Sequence, residues 1–175
     1  CIRPYLEQLE RVCHLHPKAF ILREKDLSET EYFNLAKKVL KICDSYKVDC
    51  ILHYFVKTGF KLKVDKIHLP LWKLKELSQR DLSFFSVIGA SVHSVNEAKE
   101  AERIGATYLT AGHIYSTKCK EGLPPRGLDF LREVSKSVTI PVYGIGGINL
   151  DSAQIQDVLD SGGSGACIMS KMMIL

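Results

Sequence analysis

Apolar residues recur along this chain in short blocks, and most blocks are followed by a longer stretch with helical spacing. Ala19 to Arg23 (AFILR) reads as a buried strand. Ser28 then suits a helix N-cap, with Glu31 completing a capping box for a helix running to about Tyr46. Cys50 to His53 is the next strand, followed by a short helical stretch and a strand at Lys66 to Leu69. Phe85 to Val92, Thr107 to Ala111, Val138 to Ile145 and Ala166 to Ser170 supply four more. Helical patterns at Val95 to Ile104, Leu128 to Lys136 and Asp151 to Asp160 separate them. Apolar strands, each followed by an amphipathic helix, predict a parallel sheet covered on its faces.

This alternation favours a (β/α)8 TIM barrel over an open doubly wound sheet. An open sheet would normally carry a Gly-rich nucleotide turn after its first strand, and none is present. The strand count is one short. Cys1 falls inside what reads as a helix and Leu175 lies just past a strand, so a first strand and a last helix of the barrel are expected to be missing. That expectation predicts an exposed sheet edge and a stability below that of a complete barrel. One domain over residues 1–175 is expected.

Composition narrows the function classes. Hydrophobic residues make up 46% and charged residues 25%, ordinary values for a globular chain. No apolar run reaches membrane-spanning length and no signal-peptide pattern appears, so no membrane partner and a cytoplasmic location are expected. The net charge of +4 is spread among acids, which does not indicate a nucleic-acid footprint but leaves cations for a phosphorylated small molecule. Six cysteines form no CxxC pair, and most sit in apolar patterns suited to buried reduced thiols.

Thr110 to Gly122 carries the sharpest chemical signal. His113 follows Gly112 at the end of a strand pattern, and Tyr115, Ser116, Thr117, Lys118, Cys119 and Lys120 come after it. Histidine can both take and return a proton near neutral pH, so His113 is a candidate acid/base at a βα mouth; a satisfied structural histidine is the bland alternative. The second signal is GIGGIN, Gly144 to Asn149. Gly146 and Gly147, with Ser170 after the last strand, fit the phosphate site usual for loops seven and eight of a barrel. Those glycines could equally serve only a tight turn. Arg23 and Lys25, flanked by Glu24 and Asp26, either hold an anionic group or form a solvated loop. Ser91 ends a strand as a polar contact, and His93 reads as a helix cap or a chemical group. His14 and His16 lie in a loop-like LHLHP stretch and are not expected to hold a metal.

Taken in order, REKDLSETEY, IGASVHSVNEA, GHIYSTKCKEGLPPRGL, IPVYGIGGIN and GACIMS resemble the thiamine phosphate synthase superfamily, from about Ala19 to Ser170. The resemblance implies a barrel acting in thiamine biosynthesis and covers two branches. The synthase joins a thiazole phosphate to a pyrimidine diphosphate and needs Mg²⁺ on carboxylates. Where its pattern has an Asn-Asp pair and a further Asp, this chain has His53-Tyr54 and Lys73. The thiazole tautomerase branch has histidine where the synthase loop has proline, and a cysteine further on. Gly112-His113, Thr117, Cys119 and Lys120 follow that pattern, as does the HLP of His68 to Pro70.

The tautomerase resemblance implies a 1,3-proton shift that aromatises a carboxythiazole phosphate, with no metal and no cofactor. It makes His113 the acid/base. Gly146, Gly147 and Ser170 are placed at the phosphate, Arg23, Lys25 and Lys120 at the carboxylate or phosphate, and Ser91 and Thr117 at polar contacts. The expected partner is a phosphorylated thiazole, and the family allows a homodimer. Two alternatives stay open: a thiamine phosphate synthase with metal ligands from elsewhere, and a non-catalytic thiazole-phosphate-binding regulator.

Overall fold

Seven strands lie side by side in chain order, and every neighbouring pair is parallel. They are β1 (Ala19–Leu22), β2 (Asp49–His53), β3 (Lys66–Pro70), β4 (Val87–Val92), β5 (Tyr108–Gly112), β6 (Val142–Ile145) and β7 (Gly165–Cys167). The helices are α1 (Tyr5–Cys13), α2 (Glu29–Ser45), α3 (Val56–Leu62), α4 (Leu71–Lys75), α5 (Gln79–Leu82), α6 (Val95–Arg103), α7 (Gly127–Ser137) and α8 (Ser152–Asp160). A 3₁₀ turn, Met172–Ile174, follows β7. The arrangement comes from a computed structural model, which describes residues 4–117 and 120–174.

Sequential parallel order is the order of a TIM barrel, and β1 and β7 are the two edges of the sheet. The sheet curls. Lys18, just before β1, lies over the ring of Tyr143 on β6, with its ammonium 5.7 Å from the ring centroid. Beyond β7, the 3₁₀ turn reaches α1, where Gln8 Nε2 donates to the Met172 carbonyl at 2.6 Å.

Alternation along each strand sorts side chains to two faces. On β4, Ile88, Ala90 and Val92 are buried against the helices, while Gly89 and Ser91 face the concave side with His68 and Tyr108. Two apolar clusters fill the helix-facing layer. One joins β3 to β6 with α4, α6, α7 and α8, and the other joins β1 and β2 with α1 and α2. Cys13, Cys43 and Cys50 are buried free thiols of the second cluster, and Cys167 is partly buried.

Ser28 caps α2 as its pattern predicts: its hydroxyl accepts from the Glu31 amide, and the Glu31 carboxylate returns to the Ser28 amide. Three strand bounds differ from the sequence expectation by two residues or more, and the others by one at most. Val138 to Pro141 is not strand, because the Glu102 carboxylate takes the amides of Thr139 and Ile140 at 2.7 and 3.2 Å. Phe85 and Ser86 precede β4, with the amides of Ser86 and Val87 held by the Asp65 carbonyl. The last strand ends at Cys167 rather than Ser170, since the chain turns there toward α1.

Candidate active site

The C-terminal ends of parallel strands share one mouth, and Arg23, Lys25, His113, Gly146 and Gly147 lie on the loops that follow β1, β5 and β6 there. His113 follows β5 directly, through a cis Gly112–His113 peptide. The loop after β5 continues the sheet: Ile114 donates to the Ile145 carbonyl at 3.0 Å and Tyr115 to the Gly146 carbonyl at 2.9 Å. The His113 carbonyl accepts from the Arg126 amide at 2.9 Å. Its ring is half-buried, with Nε2 3.4 Å from the Leu123 carbonyl, so the imidazole is held at one edge while the rest borders the mouth.

Gly146 and Gly147 pack against this loop. A Cβ on Gly146 would lie 2.4 Å from the His113 Cβ, and one on Gly147 would lie 2.5 Å from the Ser116 carbonyl oxygen. Both glycines also have left-handed backbones, φ +100° and +71°. Their observable contribution is therefore close approach: they let the loop after β6 touch the loop carrying His113. Ser170 is exposed in the turn after β7, and Thr117 is half-buried in the β5 loop. Cys119 lies outside the described residues.

Cations meet where the loops after β1 and β5 approach one another. Lys25 is shifted down in pKa by partial desolvation and then by the nearby charges of Arg23 and Lys120. Lys120, on the β5 loop, thus shares a positive field with Arg23 and Lys25 after β1. Neither Arg23 nor Lys25 forms a salt bridge among the described residues. Such a field suits a ligand bearing anionic oxygens. His93 sits at the surface instead, its amide donating to Glu97 at 2.6 Å beside the Ser94 cap of α6.

Below the mouth, the concave face holds a polar network in which Ser91, expected from the sequence as a polar contact, meets side chains to which the sequence assigns no chemical role. His68 Nδ1 lies 2.8 Å from the Tyr108 hydroxyl and its Nε2 2.8 Å from Ser91 Oγ. Thr110 Oγ1 donates to Ser91 Oγ at 3.3 Å. His53 stacks beside His68, ring centroids 5.8 Å apart, and its buried Nδ1 has no hydrogen-bond partner among the described residues. Burial pushes the pKa of His68 down to about 3. Burial, followed by the charges of Arg23 and Lys25, pushes His53 down to about 4. Both rings are neutral at pH 7.

The mouth beside β2 and β3 is built differently. Lys73, on α4, places its ammonium 4.4 Å from the ring centroid of Tyr54 and 5.5 Å from that of Trp72. The residues after β2 and β3 thus form a cation–aromatic cluster. No group of three or more His, Cys, Asp or Glu side chains able to hold a metal occurs among the described residues.

This fold has known counterparts. The thiamine phosphate pyrophosphorylase from Pyrococcus furiosus superposes with a TM-score of 0.82 at 29% identity, covering 98% of this chain and 82% of that one. The thiamine-phosphate synthase of Clostridium acetobutylicum is 38% identical over 157 residues, 87% of this chain and 72% of its own length. A putative thiamine-phosphate synthase 2 of Aquifex aeolicus is 32% identical over 151 residues, 86% of this chain and 81% of its own length. FabK from Thermotoga maritima, at 18% identity and a TM-score of 0.73, shares the fold. The thiamine monophosphate synthase family matches residues 1–172, and the chain belongs to that family.

Proposed function

We propose that this chain catalyses a metal-free proton shift on a phosphorylated thiazole, the tautomerase reaction of thiamine biosynthesis. One observation carries the reading: the mouth presents an imidazole, His113, while the β2/β3 side carries Lys73 over Tyr54. A 1,3-shift needs one group that removes a proton from one carbon and returns it to another, with the substrate fixed between. His113 would be that group. Arg23, Lys25 and Lys120 would supply positive charge for the carboxylate or phosphate, and the Gly146–Gly147 loop and Ser170 would border the phosphate; the shared field around Lys25 supports the first assignment.

A second reading is favoured by the relatives' names. Those at 38% and 32% identity are named as thiamine-phosphate synthases, so by name the comparisons support synthase better than tautomerase. That reaction calls for Mg²⁺, and the residues here do not fit it. Mg²⁺ prefers carboxylate oxygens, and His53, Tyr54 and Lys73 supply none, while the Lys73 ammonium opposes a cation beside it. A regulator that binds without turnover is the third reading.

His113→Asn separates catalysis from binding. The amide keeps a hydrogen-bonding group of similar size, so affinity for carboxythiazole phosphate should hold, while tautomer conversion should fall roughly 10²- to 10⁴-fold. Undiminished conversion in the variant would remove His113 from the reaction.

A further inference from the structure

We infer that Tyr108 and His68 are positioning residues that turn the Ser91 hydroxyl into an obligate donor aimed at an oxygen of the bound thiazole ligand. The inference rests on the proposed substrate class, and its physical basis is the direction in which protons must run through the network.

Strand register sets up the contact. His68 pairs with Gly89, Gly89 with Tyr108 and Ser91 with Thr110, so residues from three strands meet at two successive levels of the concave face. Gly89 makes the meeting possible. A Cβ there would stand 2.3 Å from His68 Nδ1 and 2.4 Å from the Tyr108 hydroxyl, in the space that their hydrogen bond crosses. The group is enclosed: His68 and Thr110 are buried at 3% and 2% exposure, and Tyr108 is buried at 8%. Ser91 alone is half-buried and borders the open side.

A neutral imidazole has one donor and one acceptor nitrogen, so two polarities are conceivable. In the first, Ser91 donates to Nε2, Nδ1–H donates to the Tyr108 oxygen, and the Tyr108 proton needs a further acceptor. Among the described residues Tyr108 has none, and a buried hydroxyl proton without a partner is costly. In the second, Tyr108 donates to Nδ1 and Nε2–H donates to Ser91 Oγ. Every buried proton is then satisfied. Thr110 also donates to Ser91 Oγ at 3.3 Å, and its oxygen lies 3.4 Å from His68 Nε2, a longer contact than the 2.8 Å of Ser91. Ser91 therefore receives two hydrogen bonds from below, and its own proton points to the open side. A hydroxyl fixed in this way selects an acceptor atom, such as a carboxylate or phosphate oxygen.

Two measurements test this. In ¹⁵N-histidine-labelled protein, with the signal assigned through His68→Gln, His68 should carry its proton on Nε2 at pH 7; a proton on Nδ1 overturns the proposal without any ligand present. Binding of carboxythiazole phosphate, read by calorimetry without turnover, supplies the second. Ser91→Ala should weaken it roughly tenfold, the equivalent of one charge-assisted hydrogen bond. Tyr108→Phe, with its thermal midpoint checked for folding, should weaken binding about threefold. In the Ser91→Ala background, Tyr108→Phe should add nothing. If the Tyr108→Phe loss persists in full there, the residue acts as general support and the positioning role is refuted. An unchanged affinity in Ser91→Ala likewise refutes the role of Ser91, whatever the turnover assays say of the proton shift.

Discussion

The mouths beside β5/β6 and β2/β3 lie on one sheet and have opposite character. Beside β5 and β6, two backbones touch: the loop of His113 is bonded to the Ile145 and Gly146 carbonyls and fits against glycines with no room for a side chain. Beside β2 and β3, side chains do the packing, with Lys73 on Tyr54 and Trp72. On the proposed reading, the first arrangement would fix a proton-transfer group to the scaffold, and the second would put a cation and rings where a synthase would need carboxylates. Two mouths of one barrel can differ in this way because each βα loop is positioned by its own strand.

The contrast breaks most visibly at the glycines. Gly146→Ala should cost about 2–4 kcal/mol in urea unfolding, because a left-handed alanine is strained and its Cβ collides with the Cβ of His113. Tautomer conversion should fall with it, since the displaced residue is the proposed base. A variant as stable and active as wild type would show that the two loops are not coupled.

Acid comes next in size. The rings of His53 and His68 titrate near 6.5 when unfolded but are held near 4 and 3 in the fold. Below pH 6.5 the unfolded chain binds protons that the folded chain refuses, so stability is complete above pH 6.5 and falls as pH drops toward 4. The urea midpoint should decline across that window by the equivalent of a few kcal/mol. The His53→Gln/His68→Gln variant should decline less steeply; equal slopes would show that these rings are not protected from protonation.

The smallest effect is expected at the β2/β3 mouth. Lys73→Met removes a partly exposed cation–aromatic contact, so it should cost under about 1 kcal/mol and leave tautomer conversion within about twofold. A large loss of conversion would mean that this mouth takes part in the reaction, and that the two mouths are less different than their geometry implies.

Much of the helix-facing layer was legible in the sequence, since apolar blocks such as AFIL and the Ser28–Glu31 box state their role locally. The misread strand bounds have non-local causes. Thr139 and Ile140 look strand-like, but a carboxylate on α6 takes their amides. Ile168 and Met169 look like a strand continuing, but the chain there turns to meet Gln8 of α1. The concave network was the least legible part. His68, Ser91, Tyr108 and Thr110 are scattered over three strands and become neighbours only through register, which no local pattern encodes. His113 stood out because it follows its strand immediately, in a loop dense with hydroxyls and lysines.

The most direct test of the central claim is a paired assay of the wild-type chain with chelator and with Mg²⁺. One arm follows conversion of the non-aromatic carboxythiazole phosphate to its aromatic tautomer; the other follows diphosphate release from thiazole phosphate plus pyrimidine diphosphate. The account predicts tautomer conversion that is unchanged by EDTA and no diphosphate release beyond background. Mg²⁺-dependent diphosphate release, abolished by EDTA and unaccompanied by tautomer conversion, would contradict it and identify the chain as a synthase.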